Sequence, residues 1–442
     1  MRKVFSVIMV LVIALSVTAA VSADSPAPGG PFATAFRVQN LGGSAANCTY
    51  QFFDSAGSAA YTSSTEVVQP GDSLFVYTPS LGSLGAGTYS GVVSCDQPVA
   101  AVVNFSDADS GASHSGVTTP GTTWYAPGIY DNYFSYYSNI IVQNATAGTV
   151  NITVEIFEPG NAVAVKTQTA NNVPANASAS FEQEAAAELA DNVAYSAKIT
   201  ATGNVAPIVN IYGEGGGVDN QLYSYNAFSS GSTTAYAPVI MNAFFGYNTA
   251  LAVQNIGGSS TAVTVTYGTG QVQTMNVAAG SAASLYTPAS GVPAGSLTGA
   301  KVESSGQPIV VLVNESNAFN RAASYSGFAS GSDEVRAPIV LKRYFDYNSS
   351  VTCQNVGGSA TTMTLLYAGN GTPTVSPSIA AGATHLFYQP SDTQISDGFI
   401  GSATITSSGA VPIVCVVNQD FNEPPLDTTI QDQLYAYNGI NP

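Results

Sequence analysis

The sequence predicts an all-β chain of four tandem antiparallel β-sandwiches behind a cleavable leader. Three observations predict it: an octet that recurs at intervals of about one hundred residues, an apolar period of two, and an N-terminus of leader type.

The octet VQNLGGSA (38–45) returns as VQNIGGSS (253–260) and CQNVGGSA (353–360), with a weaker copy, VQNATAGT, at 142–149. Its polar pairs are Gln39 and Asn40, Gln143 and Asn144, Gln254 and Asn255, and Gln354 and Asn355, with the asparagines 104, 111 and 100 residues apart. An apolar run ending in Asn follows each octet, at Asn104, Asn210, Asn314 and Asn418, at intervals of 64, 66, 59 and 63 residues. Two landmarks that keep step over four copies mark homologous units. YAPGI (125–129), YAPVI (236–240) and RAPIV (336–340) open the second, third and fourth, whereas the first follows DSPAPGGP. The expected division is 1–23 leader, then 24–122, 123–233, 234–333 and 334–442.

Within each unit the apolar pattern is that of strands. AVTVTY (262–267) places Val263, Val265 and Tyr267 on one side, and turn signals recur every 8 to 12 residues. Strands that alternate bury one face, which two stacked sheets achieve in about one hundred residues. The octet then reads as a strand end and hairpin turn. Its glycines supply positive φ or close approach, and its Gln and Asn cap backbone groups at the sheet edge. One stretch departs from the pattern: FEQEAAAELADNVAYS (181–196) has the composition of a short helix inserted in the second unit.

MRKVFSVIMVLVIALSVTAAVSA has two basic residues, an apolar run and a small-x-small end, the pattern of a secretory leader removed from the mature fold. No later run reaches the roughly 20 apolar residues of a membrane span, so no transmembrane segment is expected. All four cysteines follow the leader, Cys48 and Cys95 in the first unit and Cys353 and Cys415 in the fourth, with no CxxC and no metal-ligand neighbour. Secretion favours one disulfide in each unit; four buried thiols are the alternative. With 10 basic against 27 acidic residues the net charge is −17, which excludes nucleic acid as a partner and disfavours anionic membranes.

The pattern of VQN, GG, a Ser/Thr-rich strand, PG or AG, and a run such as SSGQPIVVLVN resembles the immunoglobulin-like tandem domains of bacterial secreted and cell-surface proteins. That resemblance implies immunoglobulin-like sandwiches used for spacing, adhesion or surface-layer assembly, and carries over no catalytic residue.

Histidine is too scarce for an acid–base site. His114 falls in a Gly/Ser-rich loop and His385 on a strand, neither beside a nucleophile elbow, so no enzyme activity is expected. Asp107 and Asp109, Glu214 and Asp219, and Asp420 and Glu423 follow the same strand end in three units. They read as solvated loop charge, with structural calcium as the alternative and no other cofactor. Aromatic clusters precede the Gln–Asn strand: Tyr133 and Tyr136, Phe245 and Tyr247, and Phe345 and Tyr347. They pack a junction between units or present a platform to sugar rings. The expected protein is secreted, extracellular or on the cell surface, elongated, and a structural or interaction component of envelope or matrix, acting as spacer or adhesion module. Carbohydrate binding is the alternative. Expected partners are a cell-surface or matrix protein or a polysaccharide, with self-association through the last strand.

Overall fold

The computed structural model describes residues 9–15, 32–183, 189–317, 320–421 and 432–441. Every ladder in it is antiparallel, and its only helical segments are 3-10 turns of three residues such as Thr287–Ala289. The third repeat shows the plan most simply. One sheet runs Thr234–Asn242, Ser296–Ser304, Thr261–Tyr267, Val272–Val277, and the second runs Ala282–Tyr286, Tyr247–Asn255, Ile309–Asn317, Ala322–Ser326. Their alternating apolar faces meet, with Val263, Val265 and Val302 of one against Leu251, Val311 and Val313 of the other, all buried. The fourth repeat has the same two four-stranded sheets. In the second repeat the strand Ala194–Gly213 runs unbroken through both, so seven strands form one continuous sheet.

The first repeat lacks an APxI strand, and its place on the edge of Tyr89–Cys95 is taken by Met9–Leu15, paired from Met9 opposite Cys95 to Leu15 opposite Tyr89. The expected leader is thus partly inside the described fold; the rest of 1–23 lies outside the described residues. The expected helix at 181–196 is not seen in its described part. Ser178–Glu182 and Ala194–Gly213 are strands with a turn at 191–192, and 184–188 lie outside the described residues.

Both disulfides form as expected, Cys48 with Cys95 and Cys353 with Cys415. Each joins directly opposed residues of one sheet, whereas the immunoglobulin bridge links two sheets. In the third repeat the pair opposed in the same way as Cys353 and Cys415 is Val253 and Val311.

The repeats do not form the expected elongated string. Their closing strands, Gly111–Ser115, Leu222–Asn226, Ala322–Ser326 and Tyr435–Asn438, pack first on second, second on third, third on fourth and fourth on first. Ser113, Ser224, Ser324 and Ala436 are the buried residues where they converge, small enough for four backbones to approach. Asn226 and Ser115 exchange two hydrogen bonds between the second and first repeats, and Asn438 and Ser326 repeat the exchange between fourth and third. Closure from fourth to first is made by Ser113 to the Ala436 carbonyl at 2.7 Å and Asn104 to Gln419 at 2.9 Å.

Candidate functional site

The octet asparagines are structural in all four copies. Each is fully buried, and the Asn255 Nδ2 donates to the carbonyls of Ser259 and Val277 while its Oδ1 accepts from the Gly257 N–H. Asn40, Asn144 and Asn355 make the same three contacts. The octet is not the expected hairpin turn: Tyr247–Asn255 and Thr261–Tyr267 lie in different sheets, and the amide ties the crossover between them to the end of Val272–Val277, deep in the fold rather than at a sheet edge. Close approach explains the glycine: a Cβ on Gly257 would stand 2.1 Å from Gln307 Oε1, and its φ is not positive.

The glutamines lie where repeats meet, and two of them hydrogen-bond across the junction. Gln254 Nε2 donates to Gly280 O in its own turn and to Ala197 O of the second repeat, and Gln143 reaches Gly91 O of the first. Gln354 lies so close to Gly299 of the third repeat that a Cβ there would be 2.5 Å from its Nε2; its hydrogen bond goes to Gly382 O. Gln39 donates to Gly71 O, which also accepts from Ser402 of the fourth repeat.

At one end of the ring, buried polar groups form a hub. Asp432 is fully buried and accepts from the backbone N–H groups of Leu222, Ala322 and Leu434 at 2.7, 2.9 and 3.2 Å, while its own N–H donates to Asp109 O. One residue thereby contacts all four repeats. Burial pushes its carboxyl upward, against the three N–H donors that favour the anion. Beside it, the fully buried Arg321 pairs with Asp420 across the third and fourth repeats. Asp420 also accepts from Tyr247 Oη at 2.7 Å. Burial raises Asp420 to about 6 against the pull of Arg321.

Of the sequence-derived aromatics, Tyr247 joins the third repeat to the fourth through Asp420, whereas Tyr136 and Tyr347 donate to Gln221 and Gln433 within their own repeats. Tyr133 stacks on Tyr130 with ring centroids 4.9 Å apart. Phe245 and Phe345 behave differently: with Phe134 they sit at the tips of two-residue turns, 62%, 78% and 66% exposed. Their φ values of 48°, 47° and 50° lie in the left-handed region, costly for a bulky side chain. Each packs edge-on against the aromatic before it at 4.8 Å.

A cavity of about 450 Å³ lies between the third and fourth repeats, with Met241, Leu297, Leu386 and Leu434 among its walls and Phe245 among its lining residues. The fully buried Glu315 and the half-buried Asn418 supply polar lining: Asn418 Nδ2 donates to Glu315 Oε2 at 2.6 Å. Among the described residues, Glu315 Oε1 and Asn418 Oδ1 have no hydrogen-bond partner. Desolvation raises the Glu315 carboxyl to about 8, with the Asn418 bond opposing it. In the sequence Asn418 is a repeat landmark with no chemical role assigned, and Glu315 does not stand out; Glu315 occupies a core strand position that the other repeats fill with Phe105, Ile211 and Gln419.

His114, expected in an exposed loop, is buried on the strand Gly111–Ser115, and His385 is half-buried beside Phe387. Among the acidic residues weighed for calcium, Asp420 is taken by Arg321 and Glu423 lies outside the described residues. Among the described residues no three His, Cys, Asp or Glu side chains converge as a metal site, and no helix is long and apolar enough to cross a membrane.

No protein-family model and no curated protein matches the chain. Among solved structures, Thermotoga maritima 1070 is 11% identical, covering 25% of this chain and 95% of its own, with a TM-score of 0.22. A tetra-tandem repeat from the extending region of a large adhesion protein is 13% identical, covering 90% of this chain and 92% of its own, with a TM-score of 0.13.

Proposed function

We propose that the chain is a secreted, non-catalytic structural or interaction protein of the cell envelope or matrix. In this reading four immunoglobulin-like sandwiches, 24–122, 123–233, 234–333 and 334–442, act as one closed body. It meets a surface protein through the turns bearing Phe134, Phe245 and Phe345. The observation that carries the reading is the exposure of three phenylalanines on left-handed backbone at equivalent turns. Backbone strain retained on an exposed apolar side chain is what a binding contact, not stability, would maintain. The burial of Tyr247 and the hydrogen bonds of Tyr136 and Tyr347 weigh against the sugar platform that carbohydrate binding requires.

The test is co-sedimentation of the purified mature chain with envelopes of the producing cell, beside F134N/F245N/F345N. Asn tolerates the left-handed region, so the triple variant is expected to melt at or above the parent temperature and to lose at least tenfold in envelope binding. Unchanged binding by the variant, or no binding by the parent, sinks the proposal. Release by soluble polysaccharide moves the assignment to carbohydrate binding.

A further inference from the structure

Equivalent positions explain why a cavity opens between the third and fourth repeats. In the second repeat the APxI segment ends in Tyr130, whose hydroxyl meets Asn314 of the third at 3.4 Å. The third repeat has Met241 at that position, fixed by equivalent bonds: the Tyr130 N–H donates to Ser138 Oγ and the Met241 N–H to Thr249 Oγ1. Met241 has no ring to fill the space and no hydroxyl to meet Asn418. Asn418 Nδ2 donates instead to Glu315 Oε2. The Oδ1 of Asn314 accepts from Ser324, but the residue opposite Asn418 is Ala436, and the Asn418 Oδ1 and Glu315 Oε1 have no partner among the described residues.

We propose that this cavity binds a small primary amine with an apolar body, held as its ammonium by Glu315 and Asn418, its body against Met241, Leu297, Leu386 and Leu434. Once Glu315 is ionised, its Oε1 and the Asn418 Oδ1 both call for donors, and an ammonium offers three N–H groups. A positive charge also offsets the burial of the carboxylate, which a neutral donor does not. The volume lies within the range of small-molecule sites, and Phe244, Phe245 and Tyr247 add aromatic faces suited to a cation. The other ionisable groups lining the cavity are Tyr247, Tyr388 and Asp420, the last paired with Arg321, and Tyr325 lies beside Glu315.

Isothermal titration with 2-phenylethylamine and its uncharged analogue 2-phenylethanol tests this. The amine is expected to bind with a dissociation constant below about 1 mM and the alcohol at least tenfold more weakly. Glu315 is neutral in the empty protein at pH 7, so amine binding releases a proton to the buffer, detected as heat that changes with buffer ionisation enthalpy. Glu315→Gln is expected to lose at least tenfold in amine affinity together with the proton release. Met241→Tyr, which copies the second repeat, is expected to abolish binding while retaining the fold. No amine binding, equal binding of amine and alcohol, or binding that survives Met241→Tyr overturns the proposal, and the last two remain readable if Glu315→Gln fails to fold.

Discussion

Glu315 shows how one residue sets a pH dependence that its strand does not reveal. In the unfolded chain its carboxyl has an ordinary value near 4.5, and burial raises it to about 8 in the folded state. The folded protein therefore holds this proton more tightly. At low pH the buried group is neutral in both states; as pH rises from about 4.5 to about 8 the unfolded chain gives up the proton first, and stability falls by up to about 1.4 kcal/mol per unit. Asp420 slopes the same way between 3.8 and about 6, but it is present in parent and variant alike. Glu315→Gln is expected to match the parent near pH 4.5 and to exceed it increasingly toward pH 8, read from urea midpoints across that range. A parallel pair of curves refutes the assignment. The octet asparagines were legible as structural because an Asn before a glycine pair signals a turn. Glu315 was not, because an acidic residue within ESNAF reads as a strand end, and its burial depends on a fourth repeat packing beside the third, which no local pattern shows.

At the scale of elements, the tyrosines of the closing strands lock the first strands. Tyr225, Tyr325 and Tyr437 each place a hydroxyl between the N–H and the carbonyl of one residue, Gly128, Val239 and Ile339. Those residues lie in the ladder irregularities between Ala126 and Ile129, Ala237 and Ile240, and Ala337 and Val340, where neighbouring strands leave backbone groups unpaired. Repeated words such as LYSYN, ASYS and LYAYN were visible in the sequence, but a partner 86 or 98 residues upstream was not. The first repeat has no APxI bulge, and there the tyrosine position holds His114. Tyr325→Phe removes the hydroxyl from Val239 without opening a cavity. It is expected to cost about 1–3 kcal/mol, the penalty of stranding buried backbone groups, and to speed hydrogen exchange at Val239. A variant as stable as the parent would show that the bulge needs no cap.

Closure is a property of the whole molecule that the period of about one hundred residues conceals. Homologous units joined by short links read equally well as a string or a ring, and the choice rests on small and polar residues that carry no apolar period. Ser113 and Ser402 tie the fourth repeat to the first. Leu312 joins the core of the second repeat, and Val414 and Val416 join that of the third. Separating the repeats would break the hydrogen bonds of Asp432 to the Leu222 and Ala322 N–H groups and return the apolar residues packed between repeats to water. Scattering from the chain is therefore expected to give a radius of gyration of about 22 Å, that of one compact body of this length. Four units, each with a radius of gyration of about 13 Å, laid end to end would span more than about 120 Å and give a radius of gyration of about 35 Å. The larger value in dilute monomer would refute the ring and restore the string. A value near 22 Å that rises on substituting Asp432→Ala, with the secondary structure unchanged, would identify that carboxylate as what keeps the ring shut.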